Sequence, residues 1–139
     1  MKVVVVGCTH AGTAAIVNLK KLQPEAEITV FERNDNISFL SCGIALYVGG
    51  VVKDPHGLFY SSPEALEKLN VETKMKHNVK SVDIAGKKVK VQNIGTGEET
   101  EVNYDKLIVT TGSWPITPKI PGINSNNIFE DNISLHNLI

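Results

Sequence analysis

The sequence predicts an α/β domain built on a parallel sheet, to which a small antiparallel β-meander is added. Val3–Val6 is an unbroken run of β-branched residues, typical of a strand buried on both faces. A glycine-bounded turn, residues 7–12, and a helical pattern over residues 13–22 follow it. A second strand over residues 27–31 ends at Glu32, which lies 20 residues after the last glycine of the turn. Together these features are typical of a Rossmann-like dinucleotide-binding unit.

The turn at residues 7–12 is the predicted binding site for a pyrophosphate. Gly7 permits a tight turn, and Gly12 lets the helix pack close to the strand. The N-terminus of the helix would offer N–H groups and the positive end of its dipole to a phosphate. Thr9 replaces the middle glycine of G-x-G-x-x-G, but the carboxylate of Glu32 is placed to accept hydrogen bonds from both ribose hydroxyls. A generic βαβ turn without a ligand is the alternative.

The composition narrows the possible functions. The 139 residues are 42% hydrophobic, which is enough for one domain with a core. With 14 basic and 15 acidic residues the net charge is −1, so neither nucleic acid nor an anionic membrane is an expected partner. The apolar run Val3–Val6 is too short for a signal peptide or a membrane span, and a cytoplasmic location is expected. Cys8 and Cys42 suggest neither a disulfide framework nor a zinc site, and no metal site is expected.

The second half of the chain predicts one short helix and several strands. Ser62 and Pro63 are typical of an N-cap and a first helical residue. From Val71 onward apolar and polar residues alternate, and Gly86 and residues 95–97 supply turns. We interpret this whole stretch as the antiparallel β-meander, packed on the nucleotide-binding unit.

The end of the chain indicates a domain boundary. A buried strand is predicted over residues 107–109, followed by the polar segment 110–113. Three prolines, at positions 115, 118 and 121, then suggest a linker. We therefore assign residues 1–113 to one domain and residues 114–139 to a linker.

Cys42 is the candidate reactive residue. It lies where an extended segment meets the start of an apolar helix predicted over residues 43–48. The dipole at a helix N-terminus stabilises a thiolate and raises its reactivity. The alternative is a small hydrophobic residue buried in the core, because most cysteines in apolar surroundings have that role.

Several segments together resemble the single-cysteine flavoprotein disulfide reductases, a family that includes NADH peroxidase, NADH oxidase and coenzyme A-disulfide reductase. The matching segments run in order along the chain, at residues 7–12, 32–33, 37–43 and 104–107. Residues 42–47 and 111–115 are most similar to those of the water-forming NADH oxidases of lactic acid bacteria. Tyr47 stands where the glutathione-reductase-like branch has a second redox cysteine, so the resemblance implies a single one.

The resemblance implies that the domain binds FAD and that Cys42 is its redox residue. Cys42 would cycle between a thiolate and a sulfenic acid beside the flavin. His10 would donate a proton to it or stabilise its negative charge, although from the sequence alone His10 could equally be a polar residue at a helix start. The residues that the resemblance assigns to FAD are Gly7, Thr9, His10, Ala11, Gly12, Glu32, Arg33, Ser41, Cys42, Val79, Thr110, Thr111 and Gly112.

The resemblance also implies which part of FAD each of these residues contacts. The glycine turn would bind the pyrophosphate, and Glu32 the ribose, with Arg33 at the adenosine end. Val79 would contact the adenine through its backbone, and Ser41 and Cys42 would face the isoalloxazine. The segment 110–112 would be a second FAD motif, and it reads Thr-Thr-Gly where many relatives have Ala-Thr-Gly.

The resemblance also implies NADH and O2 as substrates, with O2 reduced to water. A second glycine-rich nucleotide-binding turn, needed for NADH, does not occur in the 139 residues. We therefore interpret the chain as the N-terminal part of a longer enzyme, incomplete relative to the family and expected to form a homodimer or a higher homo-oligomer. The alternatives are a fragment of a coenzyme A-disulfide reductase or NADH peroxidase, or a nucleotide-binding module that is inactive when isolated.

Overall fold

The computed structural model describes residues 1–113, 116 and 118–123. The strands are β1 Lys2–Val6, β2 Glu27–Glu32, β3 Val71–Met75, β4 His77–Asp83, β5 Lys88–Asn93, β6 Glu99–Asn103 and β7 Lys106–Val109. The α-helices are α1 His10–Leu22, α2 Ile44–Val48 and α3 Pro63–Glu67, and two 3₁₀ turns span Ser41–Gly43 and Pro55–Leu58. Of the helices described, none has the length and apolar character needed to cross a membrane.

The centre of the fold is a four-stranded parallel sheet in the order β3-β2-β1-β7. Strand β1 lies between two neighbours, with Val5 opposite Val30 of β2 and Ile108 of β7. The four valines of β1 are all buried. The prediction of a first strand covered on both faces is therefore confirmed, since a parallel strand carries apolar residues toward both layers.

The two faces of the sheet are covered by different layers. Val3 and Val5 point to one face and pack with Ile16 of α1. Val4 and Val6 point to the other face and pack with Val89 and the other buried residues of the second cluster, which are Phe31, Val91 and Tyr104. Each buried valine contributes about 1.5–3 kcal/mol relative to exposure. The resulting order of layers is helix, parallel sheet and β-meander.

Helix α1 begins at His10, three residues earlier than the periodicity predicts. The carbonyl of Thr9 accepts the first helical hydrogen bond, from the N–H of Thr13 at 3.1 Å. The first turn of the helix therefore includes the second half of the glycine turn. Apolar periodicity did not reveal this turn because its residues are small or polar.

The β-meander is smaller than predicted. The prediction that the stretch from Val71 belongs to it is wrong for β3, which pairs in parallel with β2 from Ile28–Val71 to Glu32–Met75. Helix α3 is the last element of the connection from β2 to β3, and its N-cap is Ser62, as predicted. One face of β3 carries the buried Val71 and the other the half-exposed Glu72 and Lys74, so its residues alternate in the same way as those of an antiparallel strand.

Strands β4, β5 and β6 form the meander as an antiparallel sheet. Their turns lie at residues 84–87 and 94–96, close to the predicted glycines. Strand β4 has an irregular register between Val79 and Ser81. Val79 packs against the apolar cluster that contains Phe31, so this strand lies over the carboxyl end of β2. The predicted domain boundary at residue 113 stays a prediction, since most of residues 114–139 lies outside the described residues.

Candidate functional site

The glycine turn after β1 requires glycine at both ends. Gly7 has a φ of +86°, and its N–H donates to the carbonyl of Phe31 at 2.9 Å. A Cβ atom at Gly7 would lie 2.5 Å from the carbonyl oxygen of Thr110. A Cβ atom at Gly12 would overlap the carbonyl oxygen of Gly7 and lie 2.9 Å from Oγ1 of Thr110. The close approach of helix, turn and β7 therefore depends on the absence of these two side chains.

The N-terminus of α1 is open to an anion. The side chain of Thr9 makes no capping hydrogen bond, and the first turn contains no acidic residue. The first N–H groups of a helix have no partner within the helix and carry the positive end of its dipole. With neither a side-chain cap nor a carboxylate in the first turn, this end has the properties that bind a phosphate.

Glu32 is a buried carboxylate at the end of β2, and it is only 3% exposed. Its Oε2 accepts the N–H of Cys8 at 2.8 Å, and its Oε1 accepts the N–H of Asn34 at 2.9 Å. These bonds orient the carboxylate beside the glycine turn, and each oxygen keeps a lone pair for a further donor such as a ribose hydroxyl. The next residue, Arg33, is exposed.

Thr110 joins the segment that follows β7 to the glycine turn. Its N–H donates to the carbonyl of Val6 at 2.8 Å, and Oγ1 lies 2.7 Å from the carbonyl oxygen of Gly7 and 3.1 Å from that of Val6. The exposed Thr111 and Gly112 follow directly.

Cys42 lies in the 3₁₀ turn that precedes α2, and its side chain is exposed. The interpretation of Cys42 as a buried hydrophobic residue is therefore wrong. Helix α2 begins at Ile44, one residue later than predicted, and has only five residues. Ser41 is exposed beside Cys42. The thiol is therefore accessible, which is the first requirement of a redox cysteine.

Ser38 connects the cysteine segment to the glycine turn, a role that sequence reasoning missed. It is fully buried and has a φ of +60°, which is unusual for a residue other than glycine. Its N–H donates to the carbonyl of Cys8 at 2.8 Å, and its hydroxyl lies 2.8 Å from that of Thr13 in α1. An isolated serine between apolar residues gives no sequence signal for such a role.

Cys8 is the buried thiol of the site. Its Sγ lies 3.5 Å from Oγ1 of Thr13, and the side chain is not exposed at all. Burial raises the pKa of the Cys8 thiol, and the nearby charge of Glu32 adds to this effect, while the hydrogen bond with Thr13 opposes it. Cys8 therefore stays protonated and inaccessible.

Tyr60 is a second residue that sequence reasoning missed. Its ring stacks on that of His10, with a centroid distance of 5.3 Å and an interplanar angle of 12°. Its hydroxyl donates to the carbonyl of Thr9 at 3.0 Å, and its N–H donates to the carbonyl of Ser38 at 3.4 Å. Tyr60 thus contacts both the glycine turn and the segment that leads to Cys42.

The structure brings most of the predicted site to one edge of the sheet, where the parallel strands β1, β2 and β7 end. The glycine turn, Glu32 and Thr110 are in direct contact through the bonds above. Cys42 is connected to them through the segment that begins at Ser38, and His10 is connected to that segment through Tyr60. Val79 lies in the meander near the end of β2.

This arrangement defines a Rossmann-like α/β dinucleotide-binding domain, since such ligands bind at the carboxyl ends of parallel strands. A helix N-terminus open to a pyrophosphate and an oriented carboxylate for a ribose fit the adenosine diphosphate half of FAD. The described residues contain no cluster of histidine, cysteine and carboxylate side chains that could hold a metal ion.

Comparison with known proteins assigns the family. A family model described as pyridine nucleotide-disulphide oxidoreductase matches residues 1–137. The chain belongs to this family.

Individual relatives agree with that assignment. The chain is 62% identical to an NADH oxidase of Enterococcus faecalis over 92% of its length and 29% of that protein. It is 31% identical to a coenzyme A disulfide reductase of Staphylococcus haemolyticus over 81% of its length and 26% of that protein. The structure of a water-forming NADH oxidase from Lactobacillus brevis matches 91% of the chain with a TM-score of 0.87 and 60% identity, and 28% of that chain is covered. The predicted fold and family are confirmed, and the chain spans less than a third of these relatives.

Proposed function

We propose that the chain is the N-terminal FAD-binding part of an enzyme that oxidises NADH and reduces O2 to water. The observation that carries the proposal is the joint position of the open α1 N-terminus and the oriented carboxylate of Glu32 at one sheet edge. The similarity to NADH oxidases supports the choice of substrates. A separate domain, beyond the residues of this chain, would bind NADH.

In this proposal the chain holds FAD along the edge of the sheet. The N–H groups of the glycine turn, residues 7–12, bind the pyrophosphate, and Glu32 accepts the ribose hydroxyls with Arg33 at the adenosine end. Val79, in the meander that covers one face of the sheet, contacts the adenine through its backbone. Thr110, Thr111 and Gly112 flank the turn from β7, and Ser41 and Cys42 face the isoalloxazine. Bound FAD would supply the two-electron transfer from NADH.

Cys42 is proposed to prevent the release of peroxide. A first NADH and one proton reduce O2 to hydrogen peroxide. The Cys42 thiolate attacks one oxygen of this peroxide, the O–O bond breaks, and with one added proton a cysteine sulfenic acid and water form. The two electrons and hydrogen of a second NADH return the sulfenic acid to the thiolate and release a second water. His10 holds the proton required at the sulfur or at the leaving oxygen. In total two NADH, two protons and one O2 give two NAD⁺ and two water molecules.

The reaction is tested by the ratio of NADH to O2 consumed by the full-length protein. Two NADH per O2 without free peroxide is the expected result. We expect Cys42→Ser to lower the ratio toward one and to release hydrogen peroxide, while Cys8→Ser, whose side chain is fully buried and inaccessible to peroxide, keeps the ratio at two. A Cys42→Ser enzyme that still produces only water would exclude the sulfenic acid role.

Binding of FAD by the chain itself is tested separately. Purified chain is mixed with FAD and desalted, and retained flavin is measured from its visible absorption. Glu32→Gln keeps the shape of the side chain but removes its charge, so we expect weaker retention than in the unmodified chain. If the unmodified chain retains no flavin, FAD binding needs the rest of the protein, and the same pair is compared in the full-length enzyme. Equal retention by the two would exclude the ribose role of Glu32.

Coenzyme A-disulfide reduction is a second candidate, favoured by the similarity to the reductase of Staphylococcus haemolyticus. An exposed single thiol such as Cys42 could form a mixed disulfide with coenzyme A. NADH oxidation that depends on coenzyme A disulfide under nitrogen would support this candidate, and dependence on O2 alone would exclude it.

The homo-oligomeric state and the cytoplasmic location stay predictions. The NADH peroxidase alternative and the inactivity of the isolated chain also stay predictions.

A further inference from the structure

Tyr60 occupies an unusual position for an aromatic residue that does not belong to the core. The residue is 45% exposed. The ring contacts His10 and the hydroxyl contacts the backbone at Thr9, while the backbone of Tyr60 contacts Ser38. Three contacts to two segments of one candidate site indicate a role other than packing.

We propose that Tyr60 is a positioning residue that holds the imidazole of His10 in one orientation at the start of α1. The inference rests on the proposed function of His10, but the orientation itself can be measured without any activity. An exposed histidine side chain samples several rotamers, and holding one of them costs conformational entropy. A flat aromatic ring stacked on the imidazole restricts those rotamers.

The hydroxyl of Tyr60 adds one link between its ring and the start of α1. It donates at 3.0 Å to the carbonyl of Thr9, the residue that directly precedes His10. That carbonyl also accepts the first hydrogen bond of α1, from Thr13. The tyrosine hydroxyl is therefore bonded to the same carbonyl that begins the helix. This bond helps to hold the ring in place against the imidazole of the next residue, His10.

The other side of Tyr60 is fixed by the segment before Cys42. The N–H of Tyr60 donates to the carbonyl of Ser38, and the rings of Phe59 and Phe39 lie 5.2 Å apart. The N–H of Leu40 also donates to the carbonyl of Leu58, two residues before Tyr60, at 2.8 Å. Tyr60 therefore relates the position of His10 to the segment that carries Cys42.

The orientation is tested by the proton NMR spectrum of the histidine side chains in the chain of 139 residues. The signal of His10 among the four histidines is assigned with His10→Gln. Because the imidazole lies over the face of the tyrosine ring, we expect its carbon-bound protons to be shifted upfield. Tyr60→Phe keeps most of this shift, and Tyr60→Leu loses it. Unshifted His10 signals in the unmodified chain would overturn the proposal.

A second substitution covers the case in which Tyr60→Leu does not fold. Tyr60→Trp offers a larger aromatic ring to the same imidazole and should increase the upfield shift of His10. His56, which lies outside the stack, serves as the reference signal and should keep its position in every variant. If the His10 signals of the Tyr60→Trp variant resemble those of free histidine, the stacked geometry is contradicted.

The functional consequence is measured in the full-length enzyme by a double-mutant cycle on kcat for NADH oxidation. Misplacement of a catalytic group by about 1 Å can cost up to about a hundredfold in rate, and we expect Tyr60→Leu to lower kcat about tenfold. In the His10→Gln background the same substitution should change kcat less than about twofold, since it acts through His10.

The outcomes separate the positioning role from the proposed function. An equal loss in both backgrounds would mean that Tyr60 acts independently of His10, and the inference would be wrong. If His10→Gln leaves kcat unchanged, the proposed role of His10 fails, and the NMR shift alone then decides whether Tyr60 orients it. Retention of kcat by Tyr60→Leu in an enzyme that needs His10 would also overturn the inference.

Discussion

The two cysteines of the chain occupy opposite environments within one site. Cys8 follows Gly7 in the buried turn, where its backbone binds Glu32 and its thiol contacts Thr13. Cys42 lies in an exposed 3₁₀ turn ahead of the short helix α2. The same functional group is therefore kept protonated in one place and accessible in the other. Reactivity is determined by the surroundings of the thiol rather than by the residue type.

The comparison extends to the segments that carry them. The glycine turn has no room for an additional carbon atom at Gly7 or Gly12, and its backbone groups bind β2 and β7. The cysteine segment begins at the buried Ser38 but reaches the surface at Ser41 and Cys42. The tightly packed glycine turn suits the binding of a phosphate. The exposed cysteine segment suits a thiol that must reach its substrates.

The largest expected effect is the difference in thiol reactivity. In the folded chain a thiol reagent such as dithiobis-nitrobenzoate should modify Cys42 at least about a thousandfold faster than Cys8, because Cys8 reacts only when the structure opens. In Cys42→Ser the fast phase should disappear, and both thiols should react quickly in denaturant. A fast phase that persists in folded Cys42→Ser would contradict the buried position of Cys8.

The next effect concerns the space in the glycine turn. Gly12→Ala places a Cβ atom against the carbonyl oxygen of Gly7, and we expect a loss of more than about 4 kcal/mol in the free energy of unfolding, or no folding. Gly57→Ala is the matched control, because a Cβ atom there meets nothing within 4 Å, and it should change stability by less than about 1 kcal/mol. Urea denaturation measures both. Equal stability of the two variants would show that the turn can relax.

Two serines of the cysteine segment allow a further comparison of a buried with an exposed side chain. Ser38→Ala leaves the buried hydroxyl of Thr13 without this partner, and we expect a loss of about 1–3 kcal/mol. Ser41→Ala removes an exposed hydroxyl three residues later and should change stability by less than about 0.5 kcal/mol. Thermal or urea unfolding of the pair provides the test, and the prediction fails if both substitutions have the same effect.

The smallest expected effect is a dependence of stability on alkaline pH. Burial raises the pKa of the Cys8 thiol above its ordinary value of 9.0, so the folded state keeps the proton while the unfolded state releases it. The contribution of the protonated Cys8 thiol to the free energy of unfolding is complete below pH 9.0. It is lost as the pH rises further, at up to about 1.4 kcal/mol per pH unit. In Cys8→Ser, which does not ionise, the decline should be shallower. Identical pH profiles for the two proteins would contradict a raised pKa.

Local patterns were sufficient for the elements that combine a run of apolar residues with a clear boundary. The valines of β1, the acidic end of β2 at Glu32 and the N-cap at Ser62 were all predicted at the observed positions. These signals are local, since burial on both faces selects β-branched residues and a helix start selects a side chain that can accept from its N–H groups. The family resemblance likewise depended on ordered motifs within the chain.

The pairing of β3 and the surroundings of the cysteines were decided only by tertiary structure. An alternating pattern is compatible with either kind of edge strand, so the sequence did not distinguish a parallel β3 from the meander. The sequence is compatible with either a buried or an exposed Cys42, and the contact of Tyr60 with His10 joins residues 50 positions apart. The sequence by itself determined the elements and the family. Only the packed structure decided which side chains meet, because contacts between distant segments depend on the whole arrangement of layers rather than on any local preference.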